Sequence, residues 1–216
     1  MAAIIPYSVT PLDDLTQQVR QVLERGGLVA VPTETFYGLG VNPFDKAALE
    51  RLSLVKGRPE GKPILVLVSS IRDVLSFVER IPSAASVLME AFWPGALTIL
   101  FPAQASIPAA LTAGTGQVGL RVSSCGPLRE LLARVGPLTG TSANRTGASP
   151  AQTAHQVDDA LGEEVDIIID AGTTPGGLPS TVVEANETLR IVREGAIPRG
   201  AIEAALRTRG ISLKQS

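Results

Sequence analysis

The chain has 216 residues, of which 44% are apolar and 19% charged, and its formal net charge at pH 7 is −2. These values exclude a disordered chain and give no global attraction to nucleic acid or to anionic membranes. Because there is one cysteine and one histidine, an intramolecular disulfide and a multi-cysteine or multi-histidine metal centre are excluded as well.

The first residues contain no basic region followed by an apolar run, which a signal peptide would require. No run of about 18 apolar residues is present, so we expect no membrane span. The expectation is therefore a cytoplasmic protein.

The first predicted helix begins with Thr10 as N-cap and Pro11 at the first helical position. A buried strand then runs from Leu28 to Val31 and ends at Pro32, because proline cannot donate a hydrogen bond to the ladder. A hydrophobic strand that ends in a polar turn is a common way for α/β proteins to present a ligand site.

Apolar periodicity predicts the remaining elements. A second helix begins at the cap Asp45 and ends near Val55. Further helices are predicted from 70 onward and at 84–92, 128–135, 155–161 and 198–208. Further strands are predicted at 64–68, 97–101, 118–122, 165–170, 180–184 and 189–193. No internal repeat or low-complexity linker interrupts this order, so we expect one α/β domain over 1–216.

Four polar clusters lie at predicted strand ends, and two arginines lie on or at the ends of strands. They are Thr33–Tyr37, Lys56–Lys62, Thr141–Asn144, Ser180-Thr181, Arg121 and Arg193. Hydroxyls, an amide and fixed cations suit a phosphorylated, carboxylate-bearing ligand, since Arg and Lys pair with phosphate and carboxylate oxygens. The set offers no thiolate or histidine nucleophile, and there is no P-loop and no zinc-ligand spacing.

Each cluster also has an ordinary structural interpretation. The cations of 56–62 could be a solvated loop, 142–144 a turn, and Ser180-Thr181 a cross-strand hydroxyl pair. Arg121 is the least ordinary, because a guanidinium inside an apolar strand must find a partner. We expect His155 to be an exposed helix residue.

Taken in order, the motifs resemble one family, the YrdC/Sua5 threonylcarbamoyl-AMP synthases. The resemblance runs from about residue 26 to 195 and rests on these motifs: Pro32-Thr33-Glu34-Thr35-x-Tyr37-Gly38-Leu39-Gly40, Lys56-x-Arg58-Pro59, Trp93-Pro94-Gly95-x-x-Thr98, Arg121, Ser142-Ala143-Asn144, Ser180-Thr181-Val182 and Arg193-x-Gly195. It implies a YrdC-like fold, a twisted open mixed sheet flanked by helices with a large concave cleft. It also implies the conversion of L-threonine, bicarbonate or CO2, and ATP to threonylcarbamoyl-AMP and pyrophosphate.

The resemblance further implies two groups of binding residues, Mg²⁺ as the companion of ATP, and a product passed to a tRNA threonylcarbamoyl transferase complex. The nucleotide and its phosphates are assigned to Lys56, Arg58, Lys62, Asn144, Ser180 and Arg193, with Lys56 and Arg58 as the catalytic cations. Threonine is assigned to Thr33, Arg121, Ser142 and Thr181, with Arg121 as the partner of its carboxylate.

Two positions depart from the family pattern. Pro94-Gly95-Ala96 stands where the family often has Pro-Gly-Pro, and Ser123 stands where it often has proline.

Sua5-type members carry a further C-terminal domain, and about twenty residues follow Gly195 here, so the chain resembles the short single-domain type.

Two other functions stay open. An RNA-binding module could use the same cleft, although aromatic residues are only 4% of the chain and stacking platforms are scarce; we expect weak or no direct RNA binding. Carbamoyl-adenylate chemistry on another acceptor is the other possibility, as in the YrdC-like domains of hydrogenase-maturation proteins.

Overall fold

A computed structural model describes residues 1–57, 61–185, 189–211 and 213. It is a mixed α/β structure with two open sheets and helices packed around them. The strands are β1 (Ala3–Pro6), β2 (Val29–Val31), β3 (Gly38–Gly40), β4 (Leu65–Val68), β5 (Leu97–Pro102), β6 (Gln117–Val122), β7 (Leu138–Thr139), β8 (Thr141–Ser142), β9 (Ile167–Asp170), β10 (Thr181–Ala185) and β11 (Leu189–Arg193). The helices are α1 (Leu12–Glu24), α2 (Lys46–Lys56), α3 (Ser83–Phe92), α4 (Ala109–Thr112), α5 (Gly126–Val135), α6 (Ala154–Leu161) and α7 (Arg199–Arg207), with a 3₁₀ helix at Ile71–Ser76.

The smaller sheet has the strand order β1-β9-β2-β3-β8, and the larger has β11-β10-β5-β6-β4-β7. Both mix parallel and antiparallel pairs: β10 is parallel to β5, for example, and β5 is antiparallel to β6. The predicted open mixed sheet is therefore confirmed, except that it is divided into two.

The segment 138–142 connects the two sheets. Its first residues pair with β4 in the larger sheet, and its last residues pair with β3 in the smaller one. The Thr139 hydroxyl donates to the carbonyl of Leu39 over 3.1 Å and accepts from the amide of Val41 over 3.0 Å. This crossing holds one edge of each sheet together, so a concave space forms between them.

Most predicted helix and strand positions are confirmed, with local corrections. The α1 N-cap is Pro11, not Thr10, and no side chain caps this helix. Asp45 caps α2 as predicted, because its carboxylate accepts from the amide of Ala48 over 3.1 Å. β1, α4 and the strand β3 were not predicted, since short elements give little periodicity. The hairpin of β10 and β11 is antiparallel as expected; its loop residues 186–188 lie outside the described residues.

Not every apolar residue of these elements is in the core. Val87 and Phe92 on α3 are half-buried, and Leu75 is exposed. Leu65 of β4 is half-buried, because it faces the space between the sheets.

Candidate functional site

The described part of the chain forms a cleft of about 300 Å³ between the two sheets. Its floor is one face of the larger sheet, contributed by β4, β5, β6, β10 and β11. Its rim is the turn that follows β2 together with the 140–142 crossing. Strand periodicity explains the floor: Thr98 and Leu100 line it from β5, and Gly119 and Arg121 line it from β6, each pair two residues apart.

Six of the predicted site residues line this cleft although they are far apart in sequence. They are Thr33, Lys62, Arg121, Ser142, Ser180 and Arg193. The described lining includes three cations and no carboxylate, so the cleft is electropositive. Leu65, Leu100 and Gly119 also line it and were not predicted; period-two alternation from Thr98 and Arg121 would have found Leu100 and Gly119.

The two arginines of the cleft affect each other. Burial lowers the pKa of Arg193, and the positive charge of Arg121 lowers that pKa further. Among the described residues Arg193 has no carboxylate partner, and its Nη2 donates to the carbonyl of Ser180 over 2.8 Å. An anion bound between the two guanidiniums would relieve this repulsion.

Arg121 lies on β6 between Leu120 and Val122, which point into the core, and its own side chain is only 4% exposed. Its Nη2 lies 2.7 Å from Oε1 of Glu34. The sequence argument that this guanidinium needs a partner is therefore correct, and an acidic residue of the chain itself supplies one.

The rim turn is organised by Thr33, whose hydroxyl donates to the carbonyl of Phe36 over 2.7 Å and accepts from the amides of Thr35 and Phe36. Tyr37 is fully buried, donates to the carbonyl of Gly172 over 2.9 Å, and has its pKa raised to about 12 mainly by burial. Tyr37 is therefore a neutral anchor for the turn at physiological pH.

Lys56 and Asn144 lie outside the cleft lining and contact each other. The Lys56 ammonium, 4% exposed, donates to the carbonyl of Ser142 over 2.6 Å, to the Asn144 carbonyl, and to Asn144 Oδ1 over 3.2 Å. The carbonyl of Lys56 in turn accepts from the amide and hydroxyl of Thr146. In this structure Lys56 holds the 142–146 turn, and its predicted contact with phosphate stays a prediction. Arg58 lies outside the described residues.

Thr181 is also outside the lining, with a side chain that is fully buried. Its hydroxyl donates to the carbonyl of Ile197 over 2.6 Å and accepts from the amides of Gly195 and Ile197. Gly195 packs so closely here that a Cβ on it would lie 2.1 Å from the Pro179 carbonyl oxygen, which explains the glycine of the Arg193-x-Gly195 motif. Ser180, the residue before Thr181, lines the cleft, and its hydroxyl oxygen lies 2.9 Å from the hydroxyl oxygen of Thr98.

Similarity to known proteins identifies the family of this chain. The family model for Sua5, YciO and YrdC, described as telomere recombination, matches residues 21–195. The chain belongs to this family. A Vibrio vulnificus relative named threonylcarbamoyl-AMP synthase is 34% identical over 182 residues, which are 83% of this chain and 97% of that relative.

A second relative with the same name, from Pyrococcus abyssi, is 33% identical over 190 residues. The match covers 85% of this chain but 55% of that relative, so the chain spans about half the length of this Sua5/YciO/YrdC protein. The solved structure of P. abyssi Sua5 complexed with L-threonine superposes with a TM-score of 0.87 and 28% identity, covering 100% of this chain and 66% of that one. The fold is thus that of the family.

Separately, no helix in the described ranges is long and apolar enough to cross a membrane.

Proposed function

We propose that this chain is a threonylcarbamoyl-AMP synthase, which converts L-threonine, bicarbonate or CO2, and ATP to threonylcarbamoyl-AMP and pyrophosphate. The observation that carries the proposal is the electropositive cleft in which Arg121 and Arg193 converge with the hydroxyls of Thr33, Ser142 and Ser180. Relatives with this name at 33–37% identity over most of the chain support it.

The cleft suits two anions. Arg121 takes the carboxylate of threonine, for which a guanidinium offers two parallel donors. Arg193 and Lys62, at the other sides of the same cleft, take the phosphates of ATP. The Ser142 hydroxyl on the rim adds a polar contact with the amino acid, and Thr33 shapes the rim through its hydrogen bonds within the turn.

The reaction then needs no covalent intermediate with the protein. The neutral threonine amine attacks the carbon of CO2, which bicarbonate supplies by losing hydroxide; one C–O π bond opens and the nitrogen loses a proton, so that a carbamate and water result. A carbamate oxygen attacks the α-phosphorus of ATP, and the bond from that phosphorus to the bridging oxygen breaks, so that pyrophosphate leaves. The fixed cations hold the two anionic reactants together and stabilise the charge on the leaving group.

Magnesium enters as part of the ATP substrate. The described cleft residues include no carboxylate, and the described chain has no cluster of three or more His, Cys, Asp or Glu that could hold a metal. We therefore assign no protein ligand to the ion. We further propose that the product passes to a tRNA threonylcarbamoyl transferase complex and that the enzyme acts in the cytoplasm.

The test is pyrophosphate release by purified protein with ATP, Mg²⁺, bicarbonate and L-threonine, with the adenylate identified by mass. We expect release only when all four are present. Release that is unchanged without threonine or bicarbonate would exclude this function, and threonine-independent release in the presence of carbamoyl phosphate would favour chemistry on another acceptor.

A further inference from the structure

Glu34 belongs to the motif at the end of β2, yet it has no part in the proposed reaction. Its side chain is 14% exposed, and Oε1 lies 2.7 Å from Arg121 Nη2. Arg121 lines the cleft and Glu34 is not among the residues that do. The Glu34 carboxylate is thus outside the cleft lining, and the oxygen nearest the guanidinium, Oε1, is buried.

Ser123 holds this carboxylate in place. The Ser123 hydroxyl donates to Glu34 Oε2 and accepts from the amide of Cys125 over 3.2 Å. Ser123 is fully buried and lies two residues after Arg121, so both side chains leave the same face of the β6 strand and its continuation.

The guanidinium has few other contacts to orient it. Thr35 Oγ1 lies at the long distance of 3.5 Å from Nη2, and Nε is buried with no acceptor among the described residues. Glu34 Oε1 likewise has no well-aligned hydrogen bond. The pair is thus held by charge at short distance, and the guanidinium keeps unused donors.

We propose that Glu34 and Ser123 are positioning residues for Arg121: Ser123 orients the Glu34 carboxylate, and that carboxylate fixes the guanidinium that receives the carboxylate of threonine. This inference rests on the proposed function, because it takes threonine as the ligand of Arg121. The two parallel donors of the Arg121 guanidinium recognise a carboxylate in one direction only while the plane of the guanidinium keeps a fixed orientation. The ion pair with Glu34 gives it that orientation.

Calorimetric titration of L-threonine and, separately, of ATP into Ser123→Ala and Glu34→Gln proteins tests the proposal. We expect the Kd for threonine to rise about threefold to tenfold for Ser123→Ala and about tenfold or more for Glu34→Gln, and the Kd for ATP to change less than about twofold. Glu203→Gln is the matched control, since it removes the carboxylate of the half-exposed Arg199–Glu203 pair on α7, and it should change neither Kd.

A double-mutant cycle separates positioning from general structural damage. In an Arg121→Lys background the fork is gone, so the same two substitutions should change the threonine Kd by less than about twofold. The inference would be overturned if the substitutions raised the Kd values for threonine and ATP equally. It would also be overturned if they raised the threonine Kd as much in the Arg121→Lys background as in the unmodified protein. If the Glu34→Gln protein fails to fold, the threonine Kd of Ser123→Ala is sufficient for the test, because this substitution leaves the buried Arg121–Glu34 ion pair intact.

The two proposals fail differently. If the unmodified protein does not bind threonine at all, the proposed function is wrong. If it binds threonine and Ser123→Ala binds it equally well, only the positioning role is wrong.

Discussion

At the residue scale, a polar side chain near a cleft can hold the backbone instead of the ligand. Thr181 was predicted to bind threonine, and in the structure its hydroxyl makes three hydrogen bonds to the backbone of Gly195 and Ile197. These bonds connect the start of β10 to the segment that follows β11, beside the cleft residues Ser180 and Arg193.

Thr181→Val should therefore act on stability. The substitution keeps the shape of the side chain and leaves two amides and one carbonyl without their partner, which should cost about 1–3 kcal/mol in the free energy of unfolding by urea. Thr181→Ser keeps the hydroxyl and should lose much less. A Thr181→Val protein with unchanged stability but weakened threonine binding would instead support the direct contact.

At the element scale, helix α2 and the 142–146 turn are joined through Lys56, the last residue of α2. Its buried ammonium donates to acceptors on Ser142 and Asn144, and its carbonyl accepts from Thr146, so the turn is placed against the helix end. Because Ser142 lines the cleft, the helix helps to set the position of the cleft rim.

Lys56→Met should release this turn while keeping most of the side-chain volume. We expect faster amide hydrogen exchange across 142–146, a loss of about 1–3 kcal/mol in stability because carbonyl acceptors are left unpaired, and reduced pyrophosphate release. The control is Lys46→Met, at the exposed start of the same helix, which should leave all three unchanged. Loss of activity with unchanged exchange in the turn would show that Lys56 acts on the phosphates directly.

At the scale of the whole molecule, the cleft exists because two sheets diverge and the floor between them stays open. Gly119 contributes to that floor from β6, on the same face as Arg121. A Cβ at this position would lie 3.1 Å from Leu100 Cδ2 and 3.4 Å from Thr98 Cγ2, so a small side chain fits once the flexible Leu100 side chain moves by a few tenths of an ångström.

We therefore expect the Gly119→Val protein to fold but to bind threonine or ATP poorly. Valine favours a strand and should leave the melting temperature near that of the unmodified protein, while its methyl groups occupy the cleft and weaken threonine or ATP binding by about tenfold or more, equivalent to about 1.4 kcal/mol. Gly119→Ala, with one methyl group, should show a smaller effect. Circular dichroism melting and calorimetric titration measure the two properties, and tight binding of both ligands by Gly119→Val would place the ligands elsewhere.

Much of this protein was determined by its sequence alone. Apolar periodicity located most helices and the longer strands, because burial of one face repeats at 3.6 or 2 residues. The unusual position of Arg121 in an apolar strand showed that it needs an acidic or anionic partner, and the ordered motifs identified the family. Six of the predicted site residues line one cleft in the structure, and their contacts with a ligand stay a prediction.

Only the tertiary structure decided which polar groups face the cleft and which hold its walls. The contacts that make the distinction join residues far apart in sequence: Lys56 with Asn144, Arg121 with Glu34, and Thr181 with Ile197. No local pattern encodes such contacts, because they depend on how two sheets are placed relative to each other. The same reason explains why one predicted sheet is two, and why Glu34, an ordinary turn residue by sequence, contacts the guanidinium of the cleft.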